Sequence, residues 1–64
     1  MKIEEPGRYI MHSGDVAIVT AIGDKYAFGF DNTGHSTKWD ASCGEAIKQE
    51  IAFDIVESED SYYD

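Results

Sequence analysis

The side chains with catalytic or metal-binding chemistry are few and widely spaced in this sequence. The candidates are two histidines, one cysteine and two aspartates in turn-like segments: His12, His35, Cys43, Asp31 and Asp40. None stands at a spacing such as Cys-x-x-Cys or His-x-x-x-His, at which local backbone geometry alone assembles a site. Residues 31–34 have the composition of a calcium loop but lack its downstream acids. The sequence therefore predicts no metal site and no cofactor.

The candidate nucleophile is Cys43, the only cysteine, which could form a thiolate pair with His12 or His35. A chain of 64 residues leaves little room for a nucleophile, a base, an orienting group and oxyanion donors around a cleft. A free cysteine more often acts as a small hydrophobe, and we predict that the chain is not an enzyme. A lone cysteine also excludes an internal disulfide and is typical of a reducing cytoplasm.

Acidic residues dominate the charge of the chain. Thirteen acids against five basic residues give a net charge of −8, and residues 45–64 hold seven of the acids but only one lysine. Phosphate contacts need clustered lysine and arginine, so the charge argues against direct binding to nucleic acid or an anionic membrane. A basic partner protein, or solubility alone, explains the acids better. The longest apolar run, residues 16–22, is too short to span a bilayer, and the expected location is the cytoplasm.

Five short strands are predicted from runs of β-branched and aromatic residues separated by glycine-containing turns. They cover residues 7–12, 16–22, 26–30, 35–39 and 51–56. In so short a chain they predict a mainly β fold: an antiparallel meander curled into a small SH3-like barrel. Ser42 to Glu45 has capping-box spacing, so residues 42–50 are either a short helix before the last strand or an irregular loop. We predict one domain, residues 1–56, and a flexible acidic tail, residues 57–64.

The aromatic residues have two interpretations. Tyr26, Phe28 and Phe30 alternate along one predicted strand and so share a face, with Ala27 and Gly29 on the other. The favoured interpretation places the aromatic residues of the chain in the core, because half of the strands would otherwise lack an inner face. The alternative is an exposed patch in which Tyr26 and Trp39 anchor a partner.

The order of landmarks resembles a loose group of short, mostly uncharacterised β-rich proteins encoded by bacteriophages and prophages. The matching residues are Gly7, Tyr9, Gly14, Val16 to Val19, Tyr26, Gly29, Trp39, Gly44 and Asp54-Ile55-Val56. The likeness covers about residues 6 to 56, and it departs from the group's pattern in the acidic tail and in residues 43–50. It implies a phage context and a small β fold, and it assigns no site residues.

These observations lead to a functional hypothesis. The chain is expected to be a non-enzymatic, phage-encoded inhibitor that binds a basic host or defence protein, one that itself binds nucleic acid, through an acidic, DNA-mimicking face. The four acids with the best prospect of lying on ordered structure are Glu45, Glu50, Asp54 and Glu57. Electrostatic steering would be followed by anchoring through exposed aromatics.

Two alternatives belong to other classes. One is a nucleotide-signal sponge with a pocket at an oligomer interface, in which Tyr26 and Trp39 stack a base and Lys25, Lys38 or Arg8 meets a phosphate. The other is a virion or assembly component. A homodimer is a further expectation, because a core this small supplies only about 3–5 kcal/mol and association is a route to extra stability.

Overall fold

A computed structural model of the chain describes residues 1–59 and shows a mainly β fold. The strands are β1 (Gly7–Met11), β2 (Val16–Ile22), β3 (Tyr26–Phe30), β4 (Ser36–Asp40) and β5 (Ile55–Ser58). They form one antiparallel sheet in the order β4-β3-β2-β1-β5, curled into a half-barrel. The first four strands follow one another as a meander and β5 returns to the free edge of β1, so the predicted fold class is confirmed.

The pairing of β2 with β3 contains an irregularity typical of a β-bulge. The pairing register shifts between Val19 and Ala21 of β2, next to the pair formed by Val19 and Gly29. A Cβ added at Gly29 would overlap the carbonyl oxygen of Ile18, so only glycine permits this close approach of the two backbones. Gly29 therefore lies at the irregularity of this pairing, where a larger residue would not fit.

Residues 44–47, which we call the closing segment, lie against the edge of β4. The Asp40 amide donates to the Glu45 carbonyl and the Ile47 amide donates to the Lys38 carbonyl, each at 2.8 Å. Trp39 of β4 forms an isolated antiparallel bridge with Ala46. These bonds occupy backbone groups that β4 would otherwise leave unpaired as an edge strand.

The closing segment also contacts β5 on the opposite edge of the sheet. The Ile55 amide donates to the Gly44 carbonyl and the Ala46 amide donates to Asp54 Oδ1, both at 2.8 Å. Gly44 has a φ of +83°, and a Cβ there would overlap the carbonyl oxygen of Ile55. The open side of the half-barrel is therefore spanned by residues 44–47, and Gly44 is required where they meet β5.

The core lies on the concave side of the sheet around Trp39, which is fully buried. Its ring nitrogen Nε1 donates a 2.8 Å hydrogen bond to the Phe53 carbonyl, so the indole N–H is satisfied. Trp39 pairs with Ala27 across β3 and β4, and the small alanine leaves room for the indole. The other core side chains are Ile3, Tyr9, Met11, Ala17, Val19, Ala46 and Ile55.

The region before and through β5 differs from the sequence predictions. Residues 51–53, predicted as the start of the last strand, form a 3-10 turn (Ile51–Phe53). No α-helix forms within residues 42–50, where Lys48 has a φ of +58° and Gly44 is also outside the helical region. No helix among residues 1–59 is long and apolar enough to cross a membrane.

The predicted start of the flexible tail, residue 57, is too early in the chain. Glu57 and Ser58 belong to β5, and Glu59 Oε2 forms an ion pair with Arg8 Nε at 2.7 Å. The rest of the predicted tail, residues 60–64, lies outside the described residues.

Candidate binding surfaces

The four predicted acids lie along the closing segment and the approach to β5. Glu45 is exposed in the closing segment and Glu50 is exposed just before the 3-10 turn. Asp54 lies between that turn and β5, and Glu57 lies within β5 opposite Ile10. Glu45 and Asp54 line one shallow depression of about 310 Å³, together with Met1, Cys43, Ile55 and Val56. The structure therefore brings Glu45 and Asp54 together, and it places Glu57 on a neighbouring part of the sheet.

Asp54 also stabilises the fold through a side-chain hydrogen bond. Its Oδ1 accepts the hydrogen bond from the Ala46 amide, and Ala46 itself is buried. Losing that acceptor would leave a buried N–H unsatisfied. Glu45, Glu50 and Glu57 are exposed and are free to face a partner.

Most of the negative charge in residues 1–59 has no compensating cation. Ion pairs there join Lys2 to Glu4 at 3.6 Å and Arg8 to Glu59 at 2.7 Å, and neither involves the four predicted acids. The Thr33 hydroxyl lowers the pKa of Asp31 by hydrogen bonding to its carboxylate. The Ser42 hydroxyl lowers the pKa of Asp40 in the same way. Both aspartates thus stay ionised at neutral pH.

Two large apolar side chains are exposed among these acids. Ile51 follows Glu50 and is 68% exposed, and Val56 lies between Asp54 and Glu57 and is 46% exposed. We define the acidic surface as Glu45, Glu50, Asp54 and Glu57 with these two side chains. Sequence reasoning missed Ile51, because its alternation with Phe53 and Ile55 places it on the inward face of a predicted strand.

The two predicted aromatic anchors, Trp39 and Tyr26, differ in how deeply they are buried. Trp39 is fully buried, so its prediction as an anchor is wrong for this structure. Tyr26 is half-buried, with Lys38 Nζ 4.4 Å from its ring centroid and the Phe28 ring edge-on at 6.4 Å. The burial of Trp39 also removes one of the two rings that would stack a base in a nucleotide sponge.

Among residues 1–59 the exposed aromatic residues are instead Phe28 and Phe30, on the convex side of β3. They are 43% and 44% exposed, and Ile18, which pairs with Phe30 across β2 and β3, is 39% exposed. The sequence showed that Tyr26, Phe28 and Phe30 share a face but not which face. The favoured interpretation, that they belong to the core, is wrong for Phe28 and Phe30. The pairing of Ala27 with Trp39 would have revealed the exposed face of β3. Paired residues on neighbouring strands share a face, so the buried Trp39 places Ala27 inward and the aromatic residues outward.

The candidate ligands for catalysis or metal binding are dispersed among turns. His35 Nδ1 contacts the Thr33 hydroxyl at 2.7 Å, and Asp31 accepts bonds from the amides of Thr33 and His35. The exposed Cys43 thiol is 3.9 Å from Glu45 Oε2, a long and weak hydrogen bond. Within residues 1–59 no group of three or more His, Cys, Asp or Glu side chains is arranged to hold a metal ion. The bonds of Asp31 stabilise the β3–β4 turn.

A scan of protein-family models, a search of curated proteins and a search of solved structures each give no match to this chain. The likeness to phage-encoded proteins accordingly stays a prediction.

Proposed function

We propose that this chain is a non-enzymatic binding protein that recognises a basic protein through the acidic surface. One observation carries the proposal: the four acids have no ion-pair partner within residues 1–59, Glu45 and Asp54 share a depression with the exposed Val56, and Glu50 directly precedes the exposed Ile51 in the chain. Charge alone serves solubility, but large apolar side chains among uncompensated charges are typical of an interface core inside a polar rim.

Recognition proceeds in two physical steps. The net charge of −8 attracts a basic surface over about one Debye length, roughly 8 Å at physiological salt, and so raises the association rate. Ile51 and Val56 then lose their exposed apolar area to the partner. The depression beside Glu45 offers an apolar wall, Val56, and carboxylate oxygens, which suits the aliphatic stem and charged head of a lysine or arginine.

The kind of partner follows from this chemistry. A protein groove that binds nucleic acid is lined with lysine and arginine to contact phosphates, and carboxylates held on an ordered backbone are able to occupy it. We therefore propose that the chain acts by DNA mimicry as a phage-encoded inhibitor of such a host or defence protein in the bacterial cytoplasm.

The test compares two triple variants with the same net charge. Glu45→Lys, Glu50→Lys and Glu57→Lys together reverse the acidic surface while leaving Asp54 to hold Ala46. Glu4→Lys, Glu5→Lys and Asp24→Lys together reverse three acids elsewhere. Each substitution adds two charges, so both variants change from −8 to −2. Tagged wild-type and variant chains are used to capture protein from bacterial lysate, and the affinity for the retained protein is then measured at low and high salt.

The acidic-surface variant is expected to lose about 30-fold or more in affinity at low salt, about 2 kcal/mol over three interface charges. The control variant is expected to lose much less, because its changes lie outside the contact. Equal losses in both variants would reduce the effect to net charge and refute the proposed surface. Full affinity in the acidic-surface variant would refute the proposed function itself.

A further inference from the structure

The closing segment, residues 44–47, is attached to the sheet by hydrogen bonds more than by buried side chains. Gly44 and Ala46 are buried, whereas Glu45 is exposed and Ile47 is half-buried and not part of the core cluster. The closing segment therefore adds a single methyl side chain, that of Ala46, to the core. The largest fully buried side chains all come from other parts of the chain: Trp39, Ile3, Met11, Ile55 and Val19.

Four hydrogen bonds connect the closing segment to the two edges of the sheet. Two join it to β4, through the amides of Asp40 and Ile47, and two join it to residues 54 and 55, through the amides of Ala46 and Ile55. None of the four belongs to the pairing of the five strands with one another. Breaking all four would detach the segment and leave the strand pairing complete. Regions with few buried apolar contacts open locally, at a lower free energy than the core.

The backbone at both ends of the closing segment lies in the left-handed region. Gly44 at its start has a φ of +83°, and Lys48, directly after its end, has a φ of +58°. Lys48 is the only non-glycine residue with a positive φ among residues 1–59, and this conformation is unfavourable for a residue with a Cβ. The strain at Lys48 is present while the segment is closed, and detachment relieves it. Backbone strain held in place by the surrounding structure is typical of switch regions.

We infer that the closing segment is a hinged lid, which detaches from β4 and β5 as one unit about Gly44 and Lys48 while the five-stranded sheet stays folded. Opening uncovers the side of the half-barrel next to Trp39, because Ala46 forms the bridge with Trp39. It also moves Glu45 away from Asp54, and these two residues line one depression in the closed form. The lid therefore controls whether that depression exists.

The lid is a property of the free chain and does not depend on the proposed function. Its consequence for binding rests on that function. A basic partner that contacts both Glu45 and Asp54 binds the closed form, so the fraction of open chains lowers its apparent affinity. If the lid did not open, the acidic surface would stay permanently assembled and the proposed function would be unaffected.

The experiment is amide hydrogen exchange of the full chain, followed residue by residue by NMR over a series of low urea concentrations. The four amides that connect the lid are expected to share one free energy of opening: Asp40, Ala46, Ile47 and Ile55. It should be lower than that of the amides bonded between β2 and β3. Exchange at the lid amides should also depend weakly on urea, because lid opening exposes much less surface than global unfolding.

Two lysine-to-glycine variants form a matched pair. Lys48→Gly removes the strain of the closed form and is expected to slow exchange at the lid amides roughly twofold to fivefold. Lys25→Gly changes an exposed residue of the β2–β3 turn whose φ is not positive, and it is expected to speed exchange between β2 and β3 by a similar factor. It should leave the lid amides unchanged, because residue 25 stays folded when the lid opens. The near-ultraviolet signal of the buried Trp39 verifies that both variants are folded.

The same measurements contain the results that would overturn the lid. If the lid amides matched the β2–β3 amides in both free energy of opening and urea dependence, the only opening would be global unfolding. Equal acceleration of both groups of amides in Lys25→Gly would have the same meaning. Four unrelated free energies of opening would contradict movement as one unit. Unchanged or faster exchange at the lid amides in Lys48→Gly would contradict a strained hinge at Lys48.

Discussion

The sharpest stability prediction concerns Gly29, where the backbones of the paired strands β2 and β3 approach each other closely. Gly29 has no positive φ, and replacing a glycine by alanine in an ordinary extended position usually stabilises a strand by about 0.5–1 kcal/mol. Here the new Cβ would overlap the Ile18 carbonyl oxygen and lie 2.8 Å from the Ile18 carbonyl carbon and 2.9 Å from Val19 Cα. Because both neighbours are backbone atoms of a central strand, relief requires moving β2 away from β3.

The cost of Gly29→Ala follows from the bonds that such a movement breaks. Losing two or three ladder hydrogen bonds costs about 2–3 kcal/mol, and overpacking adds about 1–3 kcal/mol. The sum, about 3–6 kcal/mol, equals or exceeds the roughly 3–5 kcal/mol that a domain of this size possesses. The variant is therefore expected to be largely unfolded in water at room temperature.

Urea unfolding followed by the fluorescence of Trp39, the only tryptophan, measures this directly. Gly23→Ala is the matched control, because its Cβ would lie at ordinary distances, 3.5 Å from the Tyr26 carbonyl oxygen and 3.6 Å from Phe28 Cε2. It is expected to change the free energy of unfolding by less than about 1 kcal/mol. A Gly29→Ala variant within about 1 kcal/mol of the wild type would refute the argument from backbone overlap.

Two further predictions concern aspartates with defined hydrogen-bond partners. Asp54→Ala should lower the free energy of unfolding by about 1–2 kcal/mol, because the buried Ala46 amide loses its acceptor. Asp54→Asn keeps an acceptor oxygen, and urea unfolding should show it close to the wild type. The pKa of Asp31 lies below its ordinary value of 3.8, chiefly because the Thr33 hydroxyl donates a hydrogen bond to the carboxylate. The ionised carboxylate of Asp31 therefore stabilises the fold at pH values above its ordinary pKa. This stabilisation is lost as the pH falls through the lower pKa of the folded state. Thermal unfolding should show Asp31→Asn less stable than the wild type at neutral pH, with a difference that shrinks below about pH 4; a constant difference would contradict this role.

The first four strands were predictable because local signals agree there. β-branched runs, glycine turns and alternation place β2 and β3 at the predicted residues, and β1 and β4 within one residue of the prediction. β5 was not predictable in the same way. Ile51, Phe53 and Ile55 alternate like a strand, yet the Phe53 carbonyl accepts the Trp39 N–H, and residues 51–53 turn to permit it. That bond joins positions 14 residues apart, so no local pattern encodes it.

The candidate surfaces were predictable only in part. The clustering of acids near Glu45 to Glu57 was visible in the composition, and three of the four acids are exposed. The exposure of Phe28 and Phe30 was not visible, since alternation gives the two faces of a strand but not which one is inward. The choice is made by Trp39 of the neighbouring strand, whose indole fills the space left by Ala27.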